Sequence, residues 1–293
     1  MSITRFWAWP SELTAAGILG INARNLNVIF PNNSRSQFPM VDNKARTKML
    51  CRDHGIPVPE LYGVVERYGD IRNFTRSLIP APSFVIKPAG GAGGRGVLII
   101  EDRIGDEFRT SDGRRLDIRE ICYHLSTILS GLYSLGGNPD IAIIEEKISL
   151  HPAFERISEA GIPDIRVIVC RQKPLMAMLR LPTRTSRGRA NLHQGAVAVG
   201  IDLETGHTVG GAQCNRRVEC HPDTGRSLAG VAIPCWQEVL DISIETSRAC
   251  GIGYLGVDIV MDARHGPLLL EANARPGLAI QIANNQGLKR LIP

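Results

Sequence analysis

Hydrophobic positions along this chain recur with two periods. Between residues 117 and 133 they fall at Ile121, Leu125, Ile128, Leu129 and Leu132, the three- and four-residue spacing of one helix face. Residues 236–250 read as a second helix, which Gly251 ends. A third is expected over 44–54, with Asp42 as its N-cap, Gly55 as its terminator and Pro57 just beyond. Over 164–170 the pattern alternates. Ile165, Val167 and Val169 share one face and Asp164 and Arg166 the other, as in a half-buried strand. Its partner runs over 174–181 and ends at Arg180. Short apolar runs at 83–88, 97–100, 141–148 and 197–201 read as further strands, and two more close the chain at 253–260 and 268–273. Residues 151–162 read as an insertion with a helical turn. Residues 1–40, rich in Asn, Ser and Arg, are poorly patterned and read as an arm or a short helix plus loop. Strands and helices mix without regular βαβ alternation, which predicts an α+β fold with antiparallel sheets.

Composition narrows the class. With 293 residues and 43% hydrophobic content, the chain can form one large domain or two coupled lobes. No apolar run approaches the ~20 residues that cross a bilayer. The start lacks a basic segment followed by an apolar stretch. A cytoplasmic protein without membrane insertion is expected. The seven cysteines, scattered from Cys51 to Cys250 without a CxxC, suit reduced thiols. Cys214, Cys220, His221 and His207 match no common zinc spacing, so a loop region with incidental thiols is the preferred reading. The net charge of +5 is too mild to imply nucleic acid as a partner. It would equally serve anionic small substrates or an acidic peptide.

Candidate chemistry sits at the ends of apolar runs. The last two runs end in Asp258 and in Glu271-Ala-Asn273. Burying such groups is costly without compensation, and hard oxygen ligands of this kind suit Mg²⁺ held jointly with phosphates. Phosphates have an obvious seat in the five glycines between 90 and 96, whose backbone N–H groups can converge on them. This loop joins two strands and lacks a following Gly-Lys-Ser/Thr, so it is neither a P-loop nor a dinucleotide fingerprint. A flexible surface hairpin is its bland alternative. Lys87 ends an apolar strand immediately before the loop and can set its ammonium over the phosphates; otherwise it snorkels to water. Glu145-Glu146-Lys147 follows a buried run, where a strand leaving the core can read an adenine edge and hold ribose hydroxyls. Charges at a strand end are more often simply solvated. Of the arginines at 180, 184, 187 and 189, Arg184 and Arg187 fit a solvated basic loop. Arg180 terminates an apolar strand and is favoured as functional.

In order, Lys44, Lys87 with its glycine loop, Glu145-Glu146, Asp164-Ile-Arg166, Arg180, Arg189-Ala-Asn191-Leu-His193, Gly256-Val-Asp258 and Glu271-Ala-Asn273 resemble an ATP-grasp enzyme over about residues 40–285. More narrowly, the chain is similar to the glutamate-ligase branch and to the bacterial alpha-L-glutamate ligase-like proteins. The resemblance implies an ATP-grasp fold, two α+β lobes sandwiching ATP with the glycine hairpin as a lid. Residues 1–40 would be an N-terminal arm, 41–147 the first lobe and 148–293 the second, without a full pre-grasp domain. By the same resemblance, Lys44, Lys87 and Gly90, Gly91, Gly93, Gly94 and Gly96 contact the phosphates. Glu146 and Lys147 form the adenine hinge, and Glu145, Asp164, Arg189 and Asn191 complete the nucleotide site. Asp258, Glu271 and Asn273 hold two Mg²⁺ or Mn²⁺ ions. A substrate carboxylate would attack the γ-phosphate, and an amine would then attack the acyl phosphate, with Arg180 and Lys87 as the catalytic cations. Arg166, His193 and Arg275 are candidate substrate residues; Arg275 stands where the family has Ser. The expected donor is an acidic amino acid and the acceptor a peptide, protein or small-molecule carboxylate. The rivals are a phosphotransferase acting on a sugar and a nucleotide-binding module without turnover.

Overall fold

The computed structural model describes residues 9–76, 82–91, 93–159 and 161–293. Residues 1–8 of the expected arm and Ala92 of the glycine loop lie outside the described residues. The chain divides into two compact units, Met40–Ser149 and a larger one made of Met1–Pro39 with Leu150–Pro293.

The smaller unit holds a six-stranded antiparallel sheet. Its strands are β1 (Leu61–Val65), β2 (Phe84–Pro88), β3 (Leu98–Ile104), β4 (Glu107–Thr110), β5 (Arg115–Leu116) and β6 (Ala142–Glu146), in the order β1-β6-β2-β3-β4-β5. The helix Ile118–Leu129 starts at a capping box of Asp117 and Glu120. It buries Ile121, Leu125, Ile128 and Leu129 in one cluster with Phe84, Ile86, Ile100 and Ile144 of the sheet. The helix Lys44–Asp53 is capped by Asn43, whose side-chain oxygen accepts from the Arg46 N–H at 3.1 Å. The expected cap, Asp42, lies one residue too early.

The larger unit holds a seven-stranded antiparallel sheet. Its strands are β7 (Asp164–Cys170), β8 (Lys173–Leu181), β9 (Val197–Ile201), β10 (Thr208–Gln213), β11 (Arg216–Val218), β12 (Tyr254–Asp262) and β13 (Gly266–Asn273), in the order β11-β10-β9-β8-β7-β12-β13. The helix Trp236–Cys250 packs on β7, β8, β12 and β13. Both β7 and β12 are buried along their whole length. The alternation on β7 therefore does not separate core from solvent. It separates an apolar face from a charged face that is itself buried.

The described part of residues 9–39 is a series of short helical turns, and it is tied to the larger unit. Leu19 exchanges main-chain bonds with the Gln281 side chain at 2.8 and 3.1 Å, and Arg24 Nη1 donates to the Pro276 carbonyl at 2.6 Å. The Asn33 amide donates to the Tyr254 carbonyl at 2.8 Å and accepts from its N–H at 2.7 Å, as another strand would. Among the described residues no helix is long and apolar enough to cross a membrane.

Candidate active site

In the smaller unit Lys87, at the end of β2, is 7% exposed, and its ammonium pairs with Oε1 of Glu145 on the neighbouring β6. Oε2 of the same carboxylate is held by Lys48, one helical turn beyond Lys44 on the helix Lys44–Asp53. Burial lowers Lys48 to about 7; Glu145 pulls the other way and Lys87 adds to the drop. Burial pushes Glu145 up, but the two lysines together hold it below the ordinary carboxylate value. With both lysines protonated the site holds one more positive charge than its carboxylate offsets, and an anion bound there would favour that state.

The glycine loop follows directly. Lys44 Nζ donates to the Gly91 carbonyl at 2.7 Å, and the Gly90 N–H donates to the Asp140 carboxylate at 2.9 Å. Gly93, Gly94 and Gly96 take φ of +67°, +71° and +73°, the left-handed region in which a side chain is strained. A Cβ at Gly96 would stand 2.5 Å from the Tyr133 ring. Sheet pairing on β6 runs out to Glu146, whose N–H donates to the Glu60 carbonyl at 2.9 Å, and Lys147 pairs with Glu101. Glu145 thus faces the lysines.

Charged residues from four strands of the larger unit meet on one face of its sheet. Asp258 of β12 stands opposite Arg166 of β7 and opposite Glu271 of β13, and Asp164 of β7 stands opposite Arg180 of β8. Arg166 clasps Asp258 in a two-pronged bond at 2.6 and 2.5 Å. Arg180 holds both oxygens of Asp164 at 2.5 Å and also reaches Asp258 at 2.6 Å. Two guanidinium groups and their carboxylate partners shift one another unevenly. Burial alone would raise Asp258, but Arg166 and Arg180 hold it far below the carboxylate range. Burial raises Asp164 to about 6, against Arg180 and with help from the charge of Asp258. Burial lowers Arg180, yet Asp164 and Asp258 raise it well above its ordinary value.

The oxygen donors Asp258, Glu271 and Asn273 lie on two adjacent strands, a set of hard ligands that fits a divalent cation. Asp258 gives its oxygens to guanidinium groups, and Asn273 Oδ1 accepts from the Arg275 N–H at 2.8 Å. Among the described residues no group of three or more His, Cys, Asp or Glu side chains forms a cage for a metal. Phosphate oxygens would have to complete the coordination.

The remaining sequence candidates lie elsewhere in the larger unit. Arg189 is exposed and reaches Gln194 at 3.4 Å, while Asn191 caps a short turn by accepting from the His193 N–H at 3.0 Å. Arg275 lies over the Phe38 ring, 4.4 Å from its centroid. Lys48 and Asp140 were missed by sequence reasoning. The available signal for Lys48 was its four-residue spacing from Lys44, which puts both on one helix face.

The chain belongs to the sugar-transfer associated ATP-grasp family, whose pattern it matches over residues 23–292, and its fold is that of ATP-grasp proteins. It is 24% identical over 283 residues to a Hahella chejuensis protein named "Probable alpha-L-glutamate ligase 1", covering 96% of this chain and 71% of that one. A Vibrio cholerae "Probable alpha-L-glutamate ligase" is 24% identical, covering 90% of this chain and 66% of that one. Among solved structures it is similar to the ATP-grasp ligase PsnB complexed with a minimal precursor, at 18% identity and a TM-score of 0.46. That match covers 87% of this chain, which spans 59% of the solved chain.

Proposed function

We propose that this protein is an ATP- and Mg²⁺-dependent carboxylate–amine ligase that adds an acidic amino acid to a peptide or protein carboxylate. The observation that carries the reading is a pair of buried charged clusters. Lys48 and Lys87 share one carboxylate beside a glycine loop in the smaller unit, and the oxygen donors Asp258, Glu271 and Asn273 lie on adjacent strands of the larger unit's sheet. Nucleotide phosphates suit the first and their metal the second. The names of the Hahella and Vibrio relatives, both called glutamate ligases, support the amine-ligase reading.

In this reading Lys44, Lys87 and the loop from Gly90 to Gly96 hold the phosphates, and Lys48 with Glu145 keeps Lys87 extended. Asp258, Glu271 and Asn273 would hold Mg²⁺, which neutralises phosphate charge when bound. A carboxylate oxygen of the acceptor attacks the γ-phosphorus and ADP leaves. The amine nitrogen then attacks the acyl carbon, phosphate leaves, and a proton is lost as the amide forms. Arg180 is fixed by Asp164 and Asp258 with its charge fully retained, a preorganised cation for the oxygen charge that develops in both steps.

The test is ADP release with ATP, Mg²⁺, each amino acid in turn and a set of carboxylate acceptors, with mass spectrometry of the acceptor. ADP that appears only with both substrates, and an acceptor heavier by one amino-acid residue, is the expected result. The family's sugar-transfer association favours one second reading, phosphoryl transfer to a sugar hydroxyl. ADP released with a sugar and no amine would replace the ligase by that reading. Tight ATP binding with no ADP in any mixture would defeat both.

A further inference from the structure

Beside the charge cluster, the larger unit has a cleft of about 420 Å³, within the size range of small-molecule sites. It is lined by Asn25, Ile29, Phe30, Arg35, Phe38 and Arg275. Five of these six come from the N-terminal turns and the sixth from the segment just after Asn273.

The polar lining is made of donors. Arg35 and Arg275 bring guanidinium groups, which donate and never accept. Asn25 uses its carbonyl oxygen to accept from Arg24, at 3.2 Å from Nε and 2.9 Å from Nη2. Its amide NH₂ is the remaining polar group. Among the described residues no carboxylate lines the cleft. Each guanidinium also lies over an aromatic ring, that of Arg35 5.6 Å from the Phe30 centroid and that of Arg275 4.4 Å from the Phe38 centroid. The rest of the lining is apolar.

The cleft is also close to the reaction machinery. The Arg275 N–H is bonded to Asn273. Tyr254 of β12 has a buried hydroxyl with no hydrogen-bond partner among the described residues, and its phenol feels the charges of both Arg24 and Arg166.

We infer that this cleft is a substrate site for a carboxylate carried on an apolar segment, with Arg35 and Arg275 clasping the carboxylate and Ile29, Phe30 and Phe38 receiving the apolar part. The assignment rests on the ligase reading for its place in the reaction, but not for binding itself.

Binding is measured by calorimetry on the full chain without ATP, using 3-phenylpropionate and its neutral amide as probes. The acid should bind at least about tenfold more tightly than the amide, because a charge-assisted bond to guanidinium is lost in the amide. Arg35→Gln and Arg275→Gln, both at exposed positions, should each remove about tenfold of that preference. Equal binding of acid and amide, or an unchanged preference in both variants, overturns the site. L-glutamate and N-acetyl-leucyl-glutamate then separate the two sources of carboxylate. Tighter binding of the dipeptide makes the cleft the acceptor site, tighter binding of the free amino acid makes it the donor site, and either upholds it. ADP release is read in parallel. Probe binding without ADP release in any mixture defeats the ligase reading and leaves the cleft standing; amide formation with no acid preference does the reverse.

Discussion

A carboxylate with an ammonium group on each oxygen responds sharply to substitution. Glu145→Gln would leave Lys48 and Lys87 buried without a counter-charge, at a cost of about 3–5 kcal/mol. Lys48→Met leaves the Glu145–Lys87 pair intact and should cost clearly less. Urea unfolding of the two variants checks the order, and equal losses would refute the shared-carboxylate picture. The pH dependence has a definite sign. Lys48 titrates near 7 in the folded protein against an ordinary 10.5, so between these values the unfolded chain binds the extra proton. Wild-type stability should therefore rise relative to the Lys48→Met variant between pH 7 and pH 9. Lys87 was legible in the sequence because an apolar strand delivers it to a glycine loop. Lys48 was not, since a lysine within a helix is ordinarily solvated and only the register of β6 against that helix buries it. Asp258 and Glu271 were legible as polar groups in apolar runs. Their guanidinium partners were visible as single residues, but their pairing depends on strand neighbours far apart in sequence.

Among the elements, the long periodic ones were the readable ones. The strands β7, β8, β9 and β12 and the helix Trp236–Cys250 lie close to where periodicity predicts them. The strands β1, β4, β5, β10 and β11 are too short or too polar to show a period. The β7 alternation revealed two chemically different faces but not that both are covered, since coverage is decided by the packing partner. The glycine loop supplies a prediction at this scale. Gly96 and Gly105 both have positive φ, at +73° and +63°, but a Cβ meets the Tyr133 ring at Gly96 and open space at Gly105. Alanine at either site should cost about 1–2 kcal/mol of backbone strain. Gly96→Ala should lose more than that and should also weaken ATP binding. Thermal unfolding with an ATP titration compares them, and matching losses in both variants would show that the Tyr133 contact does not matter.

Over the whole molecule, the poorly patterned residues 9–39 contribute to the larger unit. Their buried apolar residues are Leu19 between turns, Val28 and Ile29 on one turn and Phe38 on another, so no single period betrays them. Asn33 is the clearest tie. Asn33→Ala would strip partners from the N–H and carbonyl of buried Tyr254, and should cost about 2–3 kcal/mol. A drop in melting temperature with a cooperative transition is expected, whereas an unchanged transition would mean the N-terminal turns are not part of the folding unit. The row of charges on the central sheet reaches further still. Asp258 faces Arg166 only in one alignment of β12 with β7; sliding either strand by a single residue sets Asp258 against Ile165 or Val167 and turns every charge into the apolar layer. The groups assigned to chemistry thus proofread the assembly of the sheet, and a chain that pairs its strands wrongly disarms itself before it can react.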